Sequence, residues 1–195
     1  MDIIFATKNK GKLKEVKAIL EGYNVMGMEE AGIEIDVIED GETFEDNAIK
    51  KAKEIMLISN KIVLADDSGI EIDYLDKKPG VHSARFLGEN TPYTIKNQKV
   101  LEMLESAKKE ERTARYVAVI AAAFPDGTVL TERGIMEGEI AQEPKGENGF
   151  GYDPIFYIPE YKLTVAEMEP AEKNKISHRG IALRAIKKRL DEKIS

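Results

Sequence analysis

Apolar runs of strand length alternate along this chain with segments whose apolar residues recur at helical spacing, and that alternation confines it to α/β architectures. Asp2 to Ala6 reads as a buried strand, and Lys10 to Glu21 as a helix with Leu13, Val16, Ile19 and Leu20 on one stripe and Gly22 at its end. A strand near 33–38 is expected next. Thr43 and Asp46 then form a capping-box signature that opens a helix to about Ser59. Lys61 to Ala65 is the following strand, and Asp66-Asp67-Ser68-Gly69 is expected to break it before a second short strand, Ile70 to Tyr74.

Farther along, Thr91-Pro92 places an N-cap residue before a proline at the first helical position, and the helix it opens carries Ile95, Leu101 and Leu104. Tyr116 to Phe124 and Val129 to Ile140 flank the turn triplet Pro125-Asp126-Gly127 and predict a long hairpin. Ile155 to Ile158 reads as a short strand, and Ser177 as the cap of a final helix with Leu183, Ile186 and Leu190 inward. The expected fold is one α/β domain over residues 1–195, with a mixed central sheet and flanking helices.

A chain of 195 residues with 42% hydrophobic and 33% charged residues is long and apolar enough to bury a core without staples. No internal repeat or Pro/Gly/Ser-rich linker divides it. No stretch approaches the roughly 20 apolar residues of a membrane span, and Met1-Asp2 leads in without a basic region or cleavage site, so the expectation is a soluble, cytoplasmic protein. Zero cysteines exclude disulfides and thiolate chemistry, and two histidines leave little for a His-rich metal site, so any metal is expected on oxygen.

A net charge of −7 argues against stable nucleic-acid binding, but the charge is segregated. Residues 8–17 hold five lysines against Glu15 alone, residues 173–189 hold seven Lys or Arg and no acid, and nine acids crowd residues 29–46. A helix start carries partial positive charge and is the wrong place for cations. Lys8, Lys10 and Lys12 nevertheless crowd the expected start of the first helix, and Lys173, Lys175, His178 and Arg179 that of the last. The plain alternative is solvated surface charge. A polyanion gripped between the two starts would turn cost into gain, because N–H groups, macrodipole and side chains all face negative charge. A phosphate-rich ligand is therefore expected.

Two familiar phosphate motifs fail on spelling. Thr7-Lys8-Asn9-Lys10-Gly11-Lys12-Leu13 lacks the first glycine and the final hydroxyl of a Walker loop, and Gly146-Glu147-Asn148-Gly149-Phe150-Gly151 has its glycines in the wrong order for a dinucleotide fingerprint. Asp66 and Asp67 at a strand end, with Glu39 or Asp40 in reach, suit Mg²⁺, which takes hard oxygen ligands and shares them with water and phosphates. Asp67 is the expected base that takes the proton of an attacking water. In Phe150-Gly151-Tyr152-Asp153-Pro154 a ring and a carboxylate sit beside flexible glycines, a combination that can stack on and read a flat base, although both rings could equally be packing residues. His82 and Tyr93 read as structural.

Four segments together resemble one family: TKNKGK at 7–12, DDSG at 66–69, GFGYDPIF at 149–156 and EKNKISHRG at 172–180, with TFEDNAIKKA at 43–52 and PGVHSARF at 79–86 also similar. The chain resembles, over nearly its whole length, the Ham1 or ITPase family of house-cleaning pyrophosphatases that remove inosine and xanthosine triphosphates. The resemblance implies a mixed sheet with two lobes around a cleft, usually a homodimer, and Mg²⁺-dependent hydrolysis of ITP, dITP and XTP to the monophosphate and pyrophosphate.

It also implies roles for individual residues. Thr7, Asn9 and Lys12 hold phosphates, with Lys51 assisting and Lys8, Lys10 and Gly11 in the same loop; Glu39 and Asp67 are the metal-linked carboxylates, Asp67 also the proton acceptor; Ser68 touches substrate. Phe150 stacks on the base beside Gly151 and Tyr152, while Asp153, Lys173, Ser177, His178 and Arg179 surround the base edge or the nearby sugar and phosphates. Part of the second cationic cluster thereby passes from phosphate to base recognition. Rival readings are a Maf-type pyrophosphatase for other modified nucleotides, which the SHRG segment disfavours, and a nucleotide-binding sensor without turnover, which the retained Asp66 and Asp67 disfavour.

Overall fold

A computed structural model describes residues 1–194. In chain order the elements are β1 (Asp2–Phe5), α1 (Lys10–Ile19), β2 (Asn24–Gly27), α2 (Phe44–Ser59), β3 (Ile62–Ile72), α3 (Tyr93–Met103), β4 (Thr113–Ala123), β5 (Val129–Ile140), β6 (Phe156–Ile158), β7 (Leu163–Thr164), α4 (Pro170–Ile176) and α5 (His178–Ile194), with short 3₁₀ turns between them. The sheet runs β2-β1-β3-β4-β5-β6-β7. β1 pairs in parallel with β2 and β3, whereas β6 is antiparallel to β5 and β7, so the sheet is mixed as expected. Among the described residues no helix is long and apolar enough to cross a membrane.

The chain divides into two compact units, each assembled from separated stretches: Met1–Asp67, Ala118–Gly134 and the chain from His178 onward in the first, Ser68–Val117 and Ile135–Ser177 in the second. Each has its own core. Ile3, Phe5, Val16, Leu64, Ile120 and Leu183 are among the residues of the first, and Ile70, Ile72, Tyr116, Ile155, Phe156 and Met168 among those of the second. Each such aliphatic or aromatic side chain contributes about 1.5–3 kcal/mol when fully buried.

Several local expectations match. Thr43 caps α2, its hydroxyl accepting the Asp46 N–H, and α2 ends at Ser59. The Pro125-Asp126-Gly127 turn joins β4 and β5; Phe124 N–H donates to Thr128 C=O at 3.0 Å and the Asp126 carboxylate accepts the Thr128 N–H at 2.8 Å. Leu183, Ile186 and Leu190 of α5 are buried.

Others are corrected. No strand occupies 33–38: the segment keeps an alternation of burial but pairs with no neighbour, and the edge position beside β1 goes to β2, which was not expected. Period-two patterning reports which side chains turn inward, and it does not report pairing. β3 runs unbroken through Asp66-Asp67-Ser68-Gly69, because Lys12 and Arg179 pair with Asp66 and the Asn47 amide donates to Asp67, so both carboxylates are met inside a strand. Gly69 serves close approach there, since a Cβ would lie 2.4 Å from the Gly80 carbonyl oxygen.

Thr91 does not cap α3. Its hydroxyl donates to the Leu87 carbonyl at 2.7 Å, Pro92 takes the N-cap position, and the buried stripe runs through Lys96, Asn97, Val100 and Leu104 while Ile95 is 55% exposed. Finally, Lys173 and Lys175 lie in the last turn of α4, a separate helix, where the macrodipole favours cations; only His178 and Arg179 stand at the start of α5. The expected cost at the last helix therefore falls on those two residues alone.

Candidate active site

In the first unit the chain leaves β1 through Ala6 and Thr7 and enters α1 at Lys10. Asn9 caps the helix by accepting the Lys12 N–H at 3.1 Å, and the Thr7 hydroxyl accepts the Asn9 N–H at 3.1 Å. Used as an acceptor, that hydroxyl keeps its proton for another group. α1 has no acid in its first turn. A cavity of about 560 Å³ opens beside the loop, lined by Thr7, Lys8, Asn9 and Lys10 with Met28 and Ile33 among its walls, so the motif borders open space.

The two cationic stretches meet here on one carboxylate. Lys12 Nζ lies 2.7 Å from Asp66 Oδ1 and Arg179 Nε 2.9 Å from Asp66 Oδ2. Arg179 also reaches Glu15 at 2.5 Å, and Lys51 Nζ donates to the Asp66 carbonyl at 3.0 Å. Burial alone would raise the Asp66 carboxyl, but Lys12, Arg179 and Lys51 outweigh it and hold it well below the usual carboxylate range.

Asp67 behaves oppositely. Burial, reinforced by the negative charge of Glu39, lifts its carboxyl to about 6 against the pull of the Asn47 hydrogen bond and of Lys51 and Lys12. Asn47 Nδ2 donates to Asp67 Oδ2 at 2.9 Å. Asn47 and Lys51 are four residues apart on α2 and share a face, and Lys51 also pairs with Glu39. Of the two candidate upstream acids, Glu39 couples to Asp67, whereas the exposed Asp40 is taken by Lys50 at 2.6 Å. Lys8 pairs with Asp36 on the surface.

Among the described residues no group of three or more His, Cys, Asp or Glu is placed to hold a metal ion. The coupled pair of carboxylates, Asp67 and Glu39, could offer oxygen to a metal. It fits an ion such as Mg²⁺, which usually takes one or two carboxylates and fills its remaining positions with water and phosphate oxygens.

In the second unit Asp153 organises the aromatic loop. Its Oδ2 accepts the Phe150 N–H at 2.9 Å and the Lys173 ammonium at 2.8 Å, and its Oδ1 accepts the Tyr116 hydroxyl at 3.1 Å. Lys173 Nζ lies 4.6 Å from the centroid of the Phe150 ring. Gly149 is required: its φ is +76°, and a Cβ would fall 2.1 Å from Asp153 Oδ2. Gly151 C=O accepts from Asn97 Nδ2 at 3.2 Å, and Tyr152 donates to Ser83 C=O at 2.8 Å while packing edge-on against Tyr93. Ser68 is half-buried on β3, and Ser177 and His178 are buried where α4 gives way to α5.

This geometry leaves some expected residues where the motifs suggested and gives others different work. Thr7, Asn9, Lys12, Lys51 and Asp67 are assembled in the first unit; Phe150, Asp153 and Lys173 in the second. Arg179 is occupied by Asp66 and Glu15, and Asp153 by three donors within its own unit. Sequence reasoning missed Glu15, Asn47, Tyr116 and Asn97. For Asn47 there was a signal, a buried-face amide four residues before Lys51 on an amphipathic helix; Tyr116 looks like any apolar strand residue.

The model of the Ham1 family matches residues 3–189. The chain belongs to the Ham1 family. It is 50% identical over 186 residues to the dITP/XTP pyrophosphatase of Desulforamulus reducens, covering 94% of this chain and 92% of the relative. It is 47% identical over 192 residues to that of Bacillus subtilis, covering 97% of each. Among solved structures it superposes on a HAM1 protein from Coxiella burnetii with a TM-score of 0.89 at 42% identity, covering 98% of this chain and 99% of that one. Ham1 membership decides between the rival enzyme families in favour of the one the motifs resemble.

Proposed function

We propose that this chain, as one functional domain over residues 1–195, hydrolyses ITP, dITP and XTP to the nucleoside monophosphate and pyrophosphate. The observation that carries the reading is the Asp67 carboxyl, buried, lifted to about 6 and coupled to Glu39 beside fixed cations. A carboxyl so placed is mostly ionised at neutral pH, yet basic enough to accept a proton from water. Kinship with relatives named dITP/XTP pyrophosphatase supports the substrate class.

Thr7, Asn9, Lys12 and Lys51 hold the phosphates, and Ser68 contacts the substrate. Asp67 takes the proton of the attacking water as its oxygen bonds to phosphorus and the anhydride bond between the α and β phosphorus atoms breaks. Pyrophosphate leaves with the electron pair, its charge met by the lysines. Asp67 and Glu39 would hold Mg²⁺, which when bound neutralises phosphate charge.

Phe150 offers its ring to the base. Lys173, fixed by Asp153, offers a donor that suits an oxygen at C6, whereas the 6-amino group of adenine would set donor against donor. A homodimer working in the cytoplasm completes the reading, as the resemblance implies.

Phosphate release with added inorganic pyrophosphatase and Mg²⁺, over a panel of ITP, XTP, dITP, ATP, GTP and pyrimidine triphosphates, tests it. Turnover confined to ITP, XTP and dITP is expected. Equal turnover of ATP or GTP overturns the specificity, and no turnover of any overturns the enzyme.

A further inference from the structure

Lys12 and Glu15 stand three residues apart on α1 and share one side of the helix. Between them and the start of α5 lies a chain of four charges: Lys12 on Asp66 Oδ1 at 2.7 Å, Arg179 Nε on Asp66 Oδ2 at 2.9 Å, and Arg179 NH1 on Glu15 Oε2 at 2.5 Å. The Arg179 and Asp66 side chains are 3% and 1% exposed, and Glu15 is 12% exposed. A guanidinium is permanently charged and its planar fork prefers to take both oxygens of one carboxylate. Arg179 instead sends Nε to Asp66 and NH1 to Glu15, and Lys12 takes Asp66 Oδ1.

We infer that Glu15 is a positioning residue: by engaging one arm of Arg179 it stops the guanidinium from claiming both oxygens of Asp66, and so keeps the Lys12 ammonium anchored at the edge of the phosphate loop. The inference rests on the proposed reading of that loop as the phosphate site. Without the Glu15 carboxylate, Arg179 turns onto Asp66 with both arms and Lys12 loses its anchor. Glu15 meets no phosphate itself; it acts through Arg179 and Asp66.

The sign of the effect separates this role from simple electrostatics. Removing a negative charge near a polyanion site raises local positive potential and on that ground alone tightens anion binding. Loss of position weakens it. Titrating pyrophosphate into wild-type and Glu15→Gln protein in the presence of Mg²⁺ reads the difference directly, with XTP kinetics alongside. Weaker pyrophosphate binding by about tenfold is expected, with KM for XTP raised by a similar factor and kcat within about twofold, since the lost contact serves ground and transition states alike.

Unchanged or tighter pyrophosphate binding by a folded Glu15→Gln variant overturns the inference, whatever its melting temperature. If that variant does not fold, Glu15→Asp keeps the charge and shortens the reach: weaker binding supports the role, and wild-type affinity overturns it. Should the wild-type protein bind pyrophosphate but turn over no XTP, the hydrolytic reading fails while the binding comparison still judges Glu15.

Discussion

Asp66 and Asp67, adjacent on β3, meet opposite electrostatic surroundings. Asp66 is held ionised by Lys12 and Arg179, whereas Asp67 has its carboxyl raised to about 6 by burial and Glu39. A raised folded value means that the native state binds this proton more tightly than the unfolded chain. Stability from that source is present below the ordinary value of 3.8 and lost as pH rises through about 6. At pH 7.5 the native protein therefore carries the cost of an ionised, buried Asp67.

Asp67→Asn removes that cost while keeping an acceptor for Asn47. The variant should be more stable than wild type by on the order of 2 kcal/mol at pH 7.5 in chelator, as read by urea unfolding. Its turnover of XTP should fall by at least about a hundredfold. A variant that is less stable than wild type, or that keeps turnover, contradicts the assignment. At this scale the sequence was informative about residue identity: the pairing of an Asp-Asp step with an upstream acid was visible. Which aspartate is clamped by cations was not visible, because Arg179 lies more than a hundred residues away in the chain.

At the scale of elements, α2 delivers Asn47 and Lys51 to the carboxylates from one face, and its register depends on where the helix begins. Thr43 sets that start through the bond from the Asp46 N–H. Thr43→Ala should cost about 1 kcal/mol of stability with a modest rise in KM, checked by denaturant unfolding and steady-state kinetics. No change in stability would show that tertiary packing alone fixes the helix start. The Thr43 cap and the β4–β5 turn were legible because their chemistry is local. The 33–38 segment and the Lys173 helix were misread because inward-facing pattern and net charge do not say what an extended segment pairs with, or at which end of a helix a lysine sits.

Across the whole molecule, the buried ions of the first unit make stability depend on acid. The Asp66 carboxyl lies well below 3.8 in the folded protein, so its contribution is fully present above that value and is lost as pH falls beneath it toward the folded value. Asp66→Asn should be less stable than wild type at pH 7 but should lose less stability between pH 7 and pH 3. Parallel urea titrations at the two pH values would expose equal losses, which would contradict a leading role for this network in acid sensitivity.

By itself the sequence determined the α/β class, the motif segments, their order and the residue types able to hold phosphate, metal and base, since these follow from local periodicity, cap chemistry and spelling. Only the tertiary structure decided that Lys12 and Arg179 share Asp66, that Asn47 and Glu39 tune Asp67, and that Asp153 ties Lys173 to the aromatic loop. The reason is that charge acts through distance in space. Distance in space between residues remote along a chain is set by how each unit's own core packs, and no window of sequence contains it.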